Sequence, residues 1–126
     1  MKTLFFYFLL CLVLIACNGL TTDEIKAFIP GTYTRYSQHE MGTEHDTLVI
    51  TPQSRQANQY KIVRKWMYER ILGGHAQPAE YKQAFTSGIY NPDRRFLQET
   101  ASGDIISFDP AKELLFIGPT QYQKLK

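Results

Sequence analysis

The stretch Tyr60-Lys61-Ile62-Val63-Arg64-Lys65-Trp66-Met67-Tyr68-Glu69 decides the fold. Side chains of a β-strand alternate between its two faces, so Tyr60, Ile62, Arg64, Trp66 and Tyr68 share one face and Lys61, Val63, Lys65, Met67 and Glu69 the other. The first set carries the aromatic bulk, which predicts that its face is the buried one. Working outward, β-branched and aromatic runs recur at about 32–38, 45–51, 58–71, 78–90, 94–100, 104–109, 113–117 and 120–125. Gly73-Gly74, Asn91-Pro92-Asp93, Ser102-Gly103-Asp104 and Asp109-Pro110-Ala111-Lys112 mark short connections between them. Short connections join antiparallel neighbours, so the pattern predicts an up-and-down meander. A meander of this many strands removes its free edges by closing on itself. The predicted fold is all-β: a small antiparallel up-and-down β-barrel of seven or eight strands, preceded by a short N-terminal helix. A β-sandwich, the alternative, needs longer crossing connections than these. For the helix, Thr21 and Glu24 fit a capping box, Ile25, Phe28 and Ile29 supply an apolar face, and Pro30-Gly31 ends it.

The N-terminus predicts export. Lys2 precedes an apolar run from Leu4 to Ala16, whose 13 residues are too few for a permanent span, since crossing the hydrocarbon takes about 20. Leu14-Ile15-Ala16-Cys17 resembles the bacterial lipobox, which implies cleavage after Ala16 and lipidation of Cys17. Acyl chains hold a protein on a bilayer without any spanning helix. The expected organisation is a signal peptide at 1–16, a lipidated N-terminus and tether at 17–26, and one barrel domain at 27–126. Cys11 leaves with the signal and Cys17 carries lipid, so no disulfide is expected and the domain must rely on its core. Without Lys2 the mature chain has 13 basic against 12 acidic side chains. That balance gives no electrostatic basis for binding nucleic acid. The expected partners are the membrane, through the anchor, and an envelope protein. Asn18 lacks the aspartate linked to inner-membrane retention, which favours the outer membrane, and the displacement of Asp23 and Glu24 from the cysteine favours its periplasmic face.

A short helix leading into Gly31-Thr32-Tyr33, a meander, and a closing strand ending in Tyr122-Gln123-Lys124-Leu125 resemble the small lipocalin-like barrels found on lipoproteins of the Bacteroidota. The layout is also similar to the barrel of the copper-resistance lipoprotein family, although the cysteine motif of that group is missing. In the lipocalin pattern the Tyr33 position is usually tryptophan, packed across the closed end of the barrel beneath a basic side chain. The chain further resembles small lipoproteins, some carried on conjugative transposons of Bacteroidota, a group that implies no biochemical activity.

Three groups of candidate residues follow. Tyr33, Arg35, Arg64, Trp66 and Tyr68 place a basic group among inward aromatics, where a guanidinium could hold a ligand carboxylate or simply close the barrel. His39, Glu40 and His45, with Glu44 and Asp46 beside them and His75 from another turn, offer metal-ligand chemistry in what reads as the first hairpin connection. Asp46-Thr47-Leu48 resembles the short O-glycosylation acceptor pattern of Bacteroidota, with Thr47 as acceptor. The chain has no Gly-rich phosphate loop and no nucleophile elbow, so neither an enzyme nor a cofactor is expected. The expectation is a non-catalytic, lipid-anchored accessory or interaction protein of the envelope; the alternatives are a lipocalin-like carrier of a small ligand or metal, and a protein inhibitor of the lysozyme-inhibitor type. Tyr33, Ile62, Trp66, Tyr68, Tyr81, Phe85, Tyr90, Phe96, Phe108 and Leu115 are expected to point inward. So many large side chains predict a nearly full interior with Trp66 near its centre, and no enclosed apolar pocket of ligand size, roughly 300 Å³ or more.

Overall fold

The computed structural model describes residues 23–53 and 57–126. The export signal, Cys17, the 18–20 tether and Thr21 lie outside the described residues. The chain begins with helix α1 (Glu24–Phe28) and continues through β1 (Gly31–His39), β2 (Gly42–Pro52), β3 (Gln59–Leu72), β4 (His75–Ala76) and β5 (Glu80–Asn91). It ends with β6 (Phe96–Glu99), β7 (Ile105–Asp109), a single 3-10 turn at Pro110–Lys112, β8 (Leu114–Ile117) and β9 (Thr120–Lys124). Neighbouring strands pair antiparallel, β9 returns to β1, and β2 pairs with β3, so eight strands close into a barrel. β4 is a two-residue extension paired only with β3. The all-β meander barrel expected from the sequence is the fold observed.

Register decides which side chains fill the interior, because a slip of one residue would turn every side chain to the other face. The inward set includes the cross-strand pairs Tyr33 with Leu48, Tyr90 with Leu97, and Leu115 with Tyr122. Ile62, Ile106 and Phe108 also belong to it, and all nine are buried. On β5 the buried Tyr90 and Gly88 set the inward parity to even numbers. A Cβ on Gly88 would meet the Leu97 side chain at 3.0 Å and Ile62 Cδ1 at 3.1 Å, so this inward position has little room for a side chain. Tyr81 and Phe85, expected inside, have the opposite parity and stand on the outer wall, 75% and 66% exposed. Phe96 is likewise displaced from the interior by Leu97, which faces Tyr90 and Ile106.

Helix α1 plugs one end of the barrel. Ile29 is buried, and Ile25 and Phe28 pack against the core. The Tyr33 hydroxyl donates to the carbonyls of Phe28 (2.9 Å) and Ile29 (3.0 Å), which satisfies part of the helix's C-terminal end. The Lys124 ammonium also donates to Phe28 O, and it lies 4.2 Å from the Phe28 ring centroid and 5.6 Å from that of Tyr33. Tyr33 thus lies at the closed end of the barrel against the Lys124 ammonium. The helix cap is Asp23, which accepts from Lys26 N, and not the expected Thr21. Asp23 also accepts from the Tyr90 hydroxyl at 2.8 Å, so Asp23 and Ile25, expected in the tether, belong to the packed domain.

The barrel wall is uneven. β1, β2, β3 and β5 have 9, 11, 14 and 12 residues, whereas β6 to β9 have 4 or 5. Strand rise is about 3.3 Å per residue, so the long strands overhang the short wall by several residues at the end opposite α1. Trp66 and Tyr68 lie on this overhang. They have the inward parity expected, but no wall faces them, and both are only half-buried. Trp66 is therefore not at the centre of the core. The same extension corrects the first hairpin: strands run through most of residues 38–46, and only Glu40 and Met41 form the turn.

Candidate functional site

Beneath the overhang the barrel opens into a cup of about 430 Å³. Leu48, Ile62, Ile106 and Ile117 supply its apolar lining, and Arg35, Arg64, Thr86, Glu99, Asp104 and Tyr122 its polar lining. The nearly full interior expected from the sequence is found only at the closed end, where Tyr33, Phe108 and α1 meet. Toward the mouth the inward positions of β5 and β9 are Ala84, Thr86 and Thr120, too small to fill the space. A site of this size lies at the low end of the range for small ligands, roughly 300–1,000 Å³.

At the base of the cup one acid ties three strands together. Asp46 on β2 is 1% exposed. Arg64 of β3 donates to it through Nε, 3.0 Å from Oδ1, and through Nη2 to Oδ2, and the Tyr122 hydroxyl of β9 donates to Oδ2 at 2.8 Å. A buried carboxylate needs this kind of paired, hydrogen-bonded surrounding. The hydrogen bond to Asp46 raises the Arg64 pKa against the opposing effect of burial. Burial first, and then the bond to Asp46, push the Tyr122 phenol up to about 12. Arg64 remains half exposed in the cup, with its side chain at 51%, and its Nη1 has no partner among the described residues. Among the described residues the Arg35 guanidinium has one acidic partner, Glu44 at 3.9 Å.

The tyrosines give this arrangement a pH signature. Tyr122 and Tyr90 are each raised from 10.0 to about 12, Tyr90 by burial and then by donating to Asp23. A folded-state pKa above the unfolded value contributes stability that is fully present below pH 10 and lost as pH rises through about 12. Thermal melts should therefore weaken across that interval. Tyrosinate absorbance should show Tyr90 and Tyr122 ionising only above the ordinary tyrosine range. Ionisation of Tyr90 and Tyr122 near pH 10 with the fold intact would contradict the buried hydroxyl assignments.

Above the cup the overhang carries an aromatic ladder. The Trp66 and Tyr68 rings are parallel within 5° with centroids 5.5 Å apart. Lys82 Nζ lies 5.1 Å from the Trp66 centroid, and His39 stacks against Tyr68 at 6.4 Å. A depression of about 390 Å³ beside Trp66 and Lys82 shares Arg64 and Ala84 with the cup.

Of the expected ligand-binding set, Arg35 and Arg64 come together in the cup, and Trp66 and Tyr68 rise above it. Tyr33 belongs to the closed end instead. The expected metal set does not assemble: His39 has the inward parity of β1, whereas His45 points outward against Tyr36 at 4.6 Å, and Glu40 is in the turn. Among the described residues no group of three or more His, Cys, Asp or Glu is placed to hold a metal ion. Thr47 sits on the outer face of β2, half-buried between Thr34 and Lys65. Asp46, Thr86, Glu99, Asp104 and Tyr122 were not among the expected ligand-binding residues. For Asp46 a signal exists, since it shares parity with Leu48 and Ile50 and is thus an acid on a buried face. Among the described residues no helix is long and apolar enough to cross a membrane. Compared with known proteins, the chain matches no family model, no curated protein and no solved structure.

Proposed function

We propose that this protein is a non-catalytic, lipid-anchored envelope protein that binds a small ligand in the open cup of its barrel. The observation that carries this reading is the cup itself: about 430 Å³, with an apolar lining and with Arg35 and Arg64 presenting unpaired N–H groups to it. Ligand binding, an alternative on the sequence, thereby moves ahead of the accessory role. Native mass spectrometry of the mature domain purified from its host tests it. The expected result is one small-molecule adduct that disappears in Ala84→Trp, which fills the mouth from an exposed position. An adduct unchanged by Ala84→Trp, or none on the unmodified protein, would count against the cup.

The anchor is supported by the Leu4–Ala16 run and by Cys17 after Ala16. Cys17→Ser should leave the protein unlipidated and in the soluble fraction after lysis; a variant that still sediments with membranes after a salt wash would refute lipidation. By the same sequence reading the protein faces the periplasm from the outer membrane, as a member of the small Bacteroidota lipoproteins of the conjugative-transposon type. Protease shaving of intact cells should leave it uncut.

A second reading, an accessory protein working through protein contacts, is favoured by the outer wall of β5. There Tyr81, Phe85 and Ile89 form an exposed row, with Met67 and Val63 opposite the first two on β3. Exposed apolar rows of this kind are commonly interaction sites.

A further inference from the structure

We propose that the cup is built for a small zwitterion, a molecule with a carboxylate at one end and an ammonium group at the other. The inference rests on the cup as the binding site and concerns what it takes. Its charges are separated by wall. Arg35 and Arg64 reach in from β1 and β3, while Glu99 lies at the end of β6 and Asp104 just before β7. No salt bridge joins the two pairs: among the described residues Arg64 is bridged to Asp46 and Arg35 to Glu44, and Glu99 acts on Arg64 only through the field of its charge. Arg64 Nη1 and the Arg35 fork keep donors for a carboxylate, and guanidinium–carboxylate pairs are among the strongest hydrogen bonds available. Glu99 and Asp104 supply acceptors for an ammonium group, which has three donors to place.

Thr86 stands between the two walls, on β5, which pairs with β3 on one side and β6 on the other. Its Oγ1 is buried and has no partner among the described residues. A buried hydroxyl normally has a hydrogen-bond partner, and Thr86 lines the cup, so a turn of its side chain would bring this unsatisfied hydroxyl to a ligand atom. A hydroxyl can donate to a carboxylate or accept from an ammonium, and so serves either end. A purely apolar ligand would desolvate these groups without replacing their bonds, and a ligand of one charge would leave one of the two pairs without a partner. Leu48, Ile62, Ile106 and Ile117 give the methylene groups between the two charges an apolar surface.

The test is an NMR titration of the mature domain with ε-aminocaproate and γ-aminobutyrate, which differ in charge separation, and with hexanoate, hexylamine and hexanol as single-charge and neutral controls. We expect one of the two zwitterions to shift resonances of Arg35, Arg64, Thr86 and Glu99, and to bind at least about tenfold more tightly than any control, because only it satisfies both walls. Arg35→Gln should weaken the zwitterion and hexanoate together while leaving hexylamine unchanged, and Glu99→Gln should do the reverse. Hexanoate, hexylamine or hexanol binding in the cup as tightly as both zwitterions would overturn the zwitterion while leaving the cup a ligand site. No cup shift with any of the five would overturn both.

Discussion

Tyr33→Ala is expected to destabilise the domain by about 3–5 kcal/mol, the range for removing a large aromatic from a packed core. Tyr33 is fully buried, and its ring lies 5.8 Å from Phe28 and 6.2 Å from Phe108. Its hydroxyl also holds two carbonyls at the end of α1. Losing that much of a marginal stability, typically about 5–15 kcal/mol for a domain, should leave the plug helix loose and the melt far below that of the unmodified protein. Tyr33→Phe keeps the ring and removes only the two hydrogen bonds, so it should cost about 1–3 kcal/mol. Trp66→Ala is the control. Trp66 is half-buried on the overhang, where it loses its stack with Tyr68 and the Lys82 cation above it, and the expected cost is about 1 kcal/mol. Urea melts of the three variants decide the matter: equal losses for Trp66→Ala and Tyr33→Ala would place the core where the sequence alone suggested it.

Arg64→Met is expected to destabilise more than Asp46→Leu, although both break the same ion pair. The two partners are unequally buried, Asp46 at 2% side-chain exposure and Arg64 at 51%. Without Asp46, Arg64 can turn into water, and its exposure means that the lost attraction is largely screened, so the cost should be about 1–2 kcal/mol. Without Arg64, a carboxylate is stranded in the barrel with only the Tyr122 hydroxyl, and breaking a buried pair in this way costs about 3–5 kcal/mol. The double variant Arg64→Met/Asp46→Leu should recover most of the loss. If urea melts show Arg64→Met costing no more than Asp46→Leu, the unequal burial of the two partners does not decide the energetics of the pair.

The inner face of β3 shows where local reading succeeds and where it stops. Alternation placed Tyr60, Ile62, Arg64, Trp66 and Tyr68 on one face, and all five have that parity in the barrel. Alternation says nothing about what stands opposite, so it did not separate the buried Tyr60 and Ile62 from the half-exposed Trp66 and Tyr68. The errors on β5 were of a different kind. Tyr90, Phe85 and Tyr81 cannot all face inward on one regular strand, because the last two differ from the first in parity. That conflict was visible in the sequence, and the aromatic character of Phe85 and Tyr81 outweighed it in the expectation.

By itself the sequence determined a count of seven or eight strands, the meander and its closure, because short turns force neighbours to pair and alternation supplies each strand with one apolar face. It also pointed to Tyr33 at the closed end, and to Arg35 and Arg64 as the basic groups of a possible site. The cup was decided only by the tertiary structure. Its volume depends on Ala84, Thr86 and Thr120 arriving at one level of the barrel, and on β6 to β9 being short where β1, β2, β3 and β5 run long. Asp46 meeting Arg64 and Tyr122 likewise spans strands as distant as β2 and β9, and only closure of the barrel brings that acid and that hydroxyl within 2.8 Å.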